Sequence, residues 1–239
     1  MFFFTPLSPL LAIYILAALL PALILLRYVY RHDTIEKEPM SLLAGLVLLG
    51  VAAALASMVL ENVGEGILDL FSAPGGRLHT LLLAFLVVAA AEEGTKLVLL
   101  KRATWRHPAF NYRFDGVVYA VFVSLGFAAF ENILYVFHYG LSVALPRALL
   151  AVPGHMSFAV FQGVFYGRAK VREREGDRRG AGWSLRAGYL LSVFLHGTYD
   201  ACAMLEEGWS VLVFLGFVAV MFFCVFRTLK RESAADVPL

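Results

Sequence analysis

From His79 to Leu100 the chain reads HTLLLAFLVVAAAEEGTKLVLL, an apolar stretch with three charges set inside it. At about 1.5 Å of rise per residue, it is long enough to cross a hydrocarbon core of about 30 Å. Each ionised side chain at such depth costs about 3 kcal/mol on insertion scales. Glu92, Glu93 and Lys96 therefore need partners from elsewhere in the chain, and the fold must deliver them. Three later apolar stretches offer candidates: Glu131 with Asn132 and Tyr135, Gly154-His155, and His196 with Asp200.

Residues that are 60% hydrophobic, with a mean hydropathy of +0.76, exclude a soluble domain of this length. The apolar runs show no period-two alternation, so the expected fold is an all-α polytopic membrane bundle rather than a barrel. About seven spans are expected, at 7–29, 41–60, 80–100, 115–138, 146–167, 187–205 and 209–227. Together they form one membrane domain over residues 1–239, with the catalytic core at about 79–205. Pro21 is expected to kink the first span, because it removes a backbone donor and crowds the preceding turn. The stretch MFFFTPLSPL lacks the basic start of a cleavable signal, so the first span is expected to remain as a signal anchor. Cys202 and Cys224 fall in separate spans and suggest neither a disulfide framework nor a zinc knuckle.

Charge placement orients the chain. Of 20 lysines and arginines, all but Arg77, Arg147 and the intramembrane Lys96 follow the first, third and fifth spans or lie in the tail. That bias predicts an outside N-terminus and a cytoplasmic C-terminus. The segment RAKVREREGDRRGAGWSLR is interrupted by acids and flanked by spans, so it reads as a topology determinant touching anionic lipid. No nucleic-acid partner is expected. The acidic connection ENVGEGILDLFSAPGGRLHT is expected to lie on the outer surface as a short amphipathic turn.

Counted from the span ends, Glu92 and Glu93 lie about 12 Å deep, His196 about 14 Å, His155 about 18 Å, Asp200 about 20 Å and Glu131 about 24 Å. One shared polar site explains these depths better than separate burials. Lys96 is spaced to pair with either glutamate of the third span, but one ammonium cannot neutralise both. At least one glutamate is left for a metal, a proton or a water. Glu131 and Tyr135 share a helical face, as do His196 and Asp200, and Pro153-Gly154 should loosen the backbone before His155. His32, His79, His107 and His138 fall in connections or at span ends and read as interfacial. Two imidazoles among carboxylates suit zinc or a similar ion. They equally suit a glutamate that activates water while histidines polarise a carbonyl. Facing aspartates, a serine nucleophile motif and a Cys–His pair on one face are all absent from the sequence.

Glu92-Glu93-x-x-Lys96, Phe130-Glu131-x-x-x-Tyr135, Gly154-His155 and His196-x-x-x-Asp200, in that order, resemble the PrsW family of intramembrane proteases. The family is related to the membrane-embedded CAAX prenyl endopeptidases. The resemblance implies a multi-pass enzyme of the bacterial plasma membrane. It also implies site-1 cleavage of a single-pass membrane protein, such as an anti-sigma factor in a stress response, near its outer face. On this reading Glu92 or Glu93 is the general base, Glu92 being favoured by analogy with the CAAX enzymes. His155 and His196 bind water or metal, and Glu131 and Asp200 complete the shell. If a divalent metal such as Zn2+ is used, the expected ligands are Glu131, His155, His196 and Asp200. Two other readings use the same cluster: a transporter or proton relay, which lacks the inverted repeat such folds show, and an inert scaffold for membrane helices.

Overall fold

The computed structural model describes residues 9–205 and 208–239. Residues 1–8, where the first span is expected to begin and most of the signal-anchor stretch lies, fall outside the described residues. Seven helical rods make up the described residues: α1 (Pro9–His32), α2 (Met40–Leu68), α3 (77–104), α4 (Asp115–Tyr139), α5 (141–174), α6 (Arg178–Met204) and α7 (Ser210–Ala234). Within α3 the segment Leu83–Ala89 is a π-helix, and within α5 so is Arg147–Ala151. Five of the rods, α1, α2, α4, α5 and α7, are long and apolar enough to cross a membrane. The other two, α3 and α6, carry the buried charges, and α6 opens on Arg178-Arg179. Pro21 is accommodated inside α1 without ending it.

The expected surface turn after the second span is not formed. Nothing between Leu60 and Leu68 breaks helical bonding, so α2 runs eight residues past the expected end at residue 60 and stops before Pro74-Gly75, where Gly75 takes φ 80°. This extension carries Glu61 beside the buried charges rather than onto the outer surface.

Helix α4 is the central column, with every residue from Asp115 to Ala128 buried. In lipid no hydrophobic force drives helices together, so close backbone approach through small residues holds them. A Cβ on Gly50 of α2 would stand 2.0 Å from the Val123 carbonyl oxygen, and one on Gly126 2.2 Å from that of Val47. On the other flank, a Cβ on Gly163 would lie 2.6 Å from the Val117 Cα, and one on Gly167 2.2 Å from the Arg113 carbonyl oxygen. These glycines clamp α2 and α5 against α4, and Ser124 adds a hydrogen bond of 2.9 Å to the His155 carbonyl. The outer faces are apolar: Leu212 is 74% exposed, Phe223 67% and Leu16 62%. Such faces fit lipid contact and would be a liability in water.

At the end of the bundle that holds the basic connections, the tail docks on the α3–α4 connection. Asp236 accepts from the Phe114 N–H at 2.8 Å, and Leu239 donates to the Asn111 carbonyl at 2.7 Å. Beside it, Asp33 and Glu38 in the α1–α2 connection are both buried. Burial pushes the Asp33 carboxyl up to about 6 and that of Glu38 up to about 7. Both groups hold protons in the folded chain that the unfolded chain releases near pH 4. Their contribution to stability is therefore full at low pH and is lost as pH rises from about 4 through about 7. Replacing Glu38 by Gln should flatten this fall and raise the unfolding midpoint above pH 7 by about 2–4 °C, read by thermal unfolding in detergent. An unchanged pH profile in E38Q would contradict the assignment.

Candidate active site

The site is built from one face each of α3, α4, α5 and α6. On α3, Glu92, Glu93 and Lys96 follow directly after the π-helical turn, a feature that re-aims the side chains beyond it and recurs at functional sites. His155 stands in the same relation to the π-turn of α5. This loosening begins upstream of the expected Pro153-Gly154 pair, because Pro153 sits in the first turn of the α-helical part and is tolerated there. On α6, Gly197 admits Phe85 of α3 so closely that a Cβ would stand 2.4 Å from its ring, which lets His196 reach the glutamates.

Lys96 is the hub. Its Nζ donates to Glu93 Oε1 at 2.8 Å and Glu92 Oε2 at 3.0 Å, and lies 3.3 Å from His155 Nδ1. The ammonium also sits 3.9 Å from the centre of the Phe127 ring. An ammonium has no lone pair, so His155 Nδ1 accepts and its Nε2 carries the proton, donated to Glu131 Oε2 at 3.0 Å. Glu131 Oε2 also accepts from Arg147 Nη2 at 2.7 Å, while Arg147 Nε holds Asn132 Oδ1 at 2.9 Å. His196 donates from Nδ1 to Glu93 Oε1 at 3.0 Å, and its Nε2 stands 3.3 Å from Asp200 Oδ2 and 3.9 Å from Glu92 Oε2. Phe158 stacks on the His196 ring at 4.6 Å and fixes its plane. All eight expected residues thus converge, with a difference in role for Tyr135. Its ring lies under the Arg147 guanidinium at 3.8 Å, so it meets Glu131 through that arginine.

A cavity of about 490 Å³ opens onto this network and is walled by Glu92, Glu131, His155, His196 and Asp200. Glu93 and Lys96 do not line it; they are 0% and 2% exposed and stand behind Glu92. The cavity therefore separates the two adjacent glutamates into one that faces incoming reactants and one that braces histidine and lysine. Arg147 and Glu61 also wall the cavity. Glu61 escapes a reading of the sequence because it falls just past the expected end of the second span, and Arg147 because it falls at the very edge of the expected fifth. The available signal for Arg147 was charge: the four carboxylates Glu92, Glu93, Glu131 and Asp200 against Lys96 alone require a second cation.

Glu92, Glu93, His155 and His196 offer one donor atom each within 4.8 Å of one another, a spacing that suits a metal ion. Of the four expected ligands, His155 and His196 belong to this group; Glu131 sits against His155 Nε2, the nitrogen turned away from Glu92, and Asp200 against His196 Nε2, the nitrogen turned towards it. Glu93 Oε2 and Asp200 Oδ2 are buried without a hydrogen-bond partner, and each such oxygen calls for a cation or a proton. Two imidazoles and several carboxylates form a donor set suited to zinc or a similar borderline ion, so the residues fit one. His79, expected at the interface, is instead buried in the first turn of α3, 2.9 Å from Ser72 Oγ.

The family model of the PrsW family intramembrane metalloproteases matches residues 38–227. The chain is 35% identical over 224 residues to Protease PrsW of Geobacillus kaustophilus, covering 93% of each chain. It is 32% identical over 220 residues to Protease PrsW of Halalkalibacterium halodurans, covering 92% of this chain and 97% of that one. Protease PrsW of Bacillus subtilis is 30% identical over 221 residues, covering 92% of this chain and 96% of its own. No solved structure matches the chain.

Proposed function

This chain belongs to the PrsW family of intramembrane metalloproteases, and from that premise we propose that it cuts a single-pass membrane protein near the outer face of the bacterial membrane. It is a multi-pass protease, and that membership sets aside the transporter and scaffold readings. An anti-sigma factor of a stress response is the proposed substrate class. All seven rods cross the bilayer in this proposal, with the N-terminus outside and the C-terminus in the cytoplasm. The lysine and arginine bias supports that orientation. Helices α3 and α6 fall short in apolar length because they carry the charges of the site.

The observation that carries the mechanism is the separation of Glu92 from Glu93 by the cavity wall. Glu92 accepts the proton of a water as its oxygen attacks the scissile carbonyl, and the leaving nitrogen takes that proton as the C–N bond breaks. Glu93 orients His196 through Nδ1, and Glu131, held by Arg147, orients His155 through Nε2. His155 and His196 would hold the divalent cation, with Asp200 as the proposed third donor. When bound, such an ion polarises a water or a carbonyl. Glu131, expected as a fourth ligand, is proposed as an outer partner because both His155 and Arg147 already claim its Oε2.

The test uses the purified full chain in lipid vesicles with a tagged single-pass reporter. A membrane-permeant chelator should abolish cleavage, zinc should restore it, and elemental analysis should find about one metal per chain, lost in H155A. Full activity in metal-free protein would leave the glutamate mechanism with the histidines as polarising groups and remove the ion.

A further inference from the structure

Glu61 has no counterpart in the sequence motifs, yet it stands where two cavities meet. Besides the larger cavity, it lines a second of about 160 Å³ between α2 and α4, and the two share Glu61, Glu92, Glu131 and Tyr135. Every other carboxylate of the site has a cationic or imidazole neighbour. Lys96 holds Glu92 and Glu93, Glu131 lies between His155 and Arg147, and Asp200 lies 3.3 Å from His196. Among the described residues, no lysine, arginine or histidine pairs with Glu61, and its Oε1 is buried without a hydrogen-bond partner. Ser57, one turn back, donates to the Ala54 carbonyl at 3.0 Å and is also within hydrogen-bonding reach of the Glu61 carboxyl, which leaves Oε1 as its unpartnered oxygen.

A substrate that crosses the membrane as a helix creates a need for such a group. Its scissile bond is shielded by the helical ladder, and opening that ladder frees backbone N–H donors. In hydrocarbon each unsatisfied donor costs several kcal/mol. We propose that Glu61 is a substrate-binding residue whose unpartnered Oε1 accepts a backbone N–H of the substrate where its helix is opened beside Glu92. This rests on the protease reading above. A carboxyl oxygen accepts an N–H as a backbone carbonyl does, so it can replace a ladder bond that the substrate gives up. Each neighbouring carboxylate has a lysine, arginine or histidine beside it, and Glu61 is the carboxyl that the α2 wall presents.

The experiment compares wild type, E61L and E61Q in lipid vesicles on a tagged single-pass reporter with an apolar span of about 20 residues. E61L should lower kcat/KM by about tenfold or more, chiefly by raising KM, because the freed donor then has no acceptor. E61Q keeps an amide oxygen and should recover to within about threefold of wild type. A proline scan through the outer half of the reporter span should find one position at which the E61L deficit disappears, since proline removes the N–H in question. E61L cleaving at the wild-type rate overturns the proposal. So does E61Q failing as fully as E61L, which would mark a proton-carrying acid, or a deficit that no proline position relieves. If wild type leaves every reporter intact, the protease reading itself falls and this proposal with it.

Discussion

Glu92→Gln is expected to lower cleavage of a single-pass reporter by about 10²–10⁴-fold while leaving the protein folded and at its normal level in the membrane. The cavity wall gives the reason. Glu92 is the member of the adjacent pair that lines the 490 Å³ cavity, and its Oε2 lies about equally far from His155 Nδ1 and His196 Nε2, at 4.0 and 3.9 Å. A water between these groups has a carboxylate to take its proton and two rings beside the carbonyl it attacks. Gln has the same shape and can still accept the Lys96 hydrogen bond, so the loss should fall on kcat with little change in the unfolding midpoint. Glu93→Gln should behave differently. Glu93 Oε1 accepts from both Lys96 and His196, so weakening it should lower activity and stability together. An active E92Q beside an inactive but stable E93Q would exchange the two roles.

Lys96→Met should be the most damaging single change to the fold. Among the described residues, the ammonium, 2% exposed, is the one fixed cation in contact with Glu92 and Glu93, which are 4% and 0% exposed. Removing one member of a buried ion pair costs about 3–5 kcal/mol, because the remaining charges lose their compensation. Here two carboxylates are stranded by one substitution. For a chain of this size such a loss lowers the unfolding midpoint by about 10 °C or more, measurable in detergent. Adding Glu93→Gln to Lys96→Met removes one of the stranded charges and should recover part of that loss, though not activity. A midpoint within about 2 °C of wild type for Lys96→Met alone would show that the lysine is not the hub described here.

Cost in lipid made much of this legible before any fold was known. Apolar runs of spanning length could only be helices, and charges within them could only be tolerated together. Glu92, Glu93, Lys96, Glu131, His155, His196 and Asp200 were therefore readable as one site from spacing alone, and their order identified the family. Resolution failed where a residue's role depends on which neighbour it faces. Glu92 and Glu93 are chemically identical and adjacent, and only the cavity separates them. Glu61 reads as a connection residue and Arg147 as the edge of a span, because hydropathy cannot tell where a helix ends when polar residues continue its hydrogen bonding. Only the packing of α2 and α5 against α4, permitted by Gly50, Gly126, Gly163 and Gly167, turns them inward. The sequence by itself determined that a buried charged site exists and which residues must enter it, because hydrocarbon penalises any other arrangement. Tertiary structure alone decided which oxygen faces which nitrogen, because that depends on contacts between helices far apart in the chain.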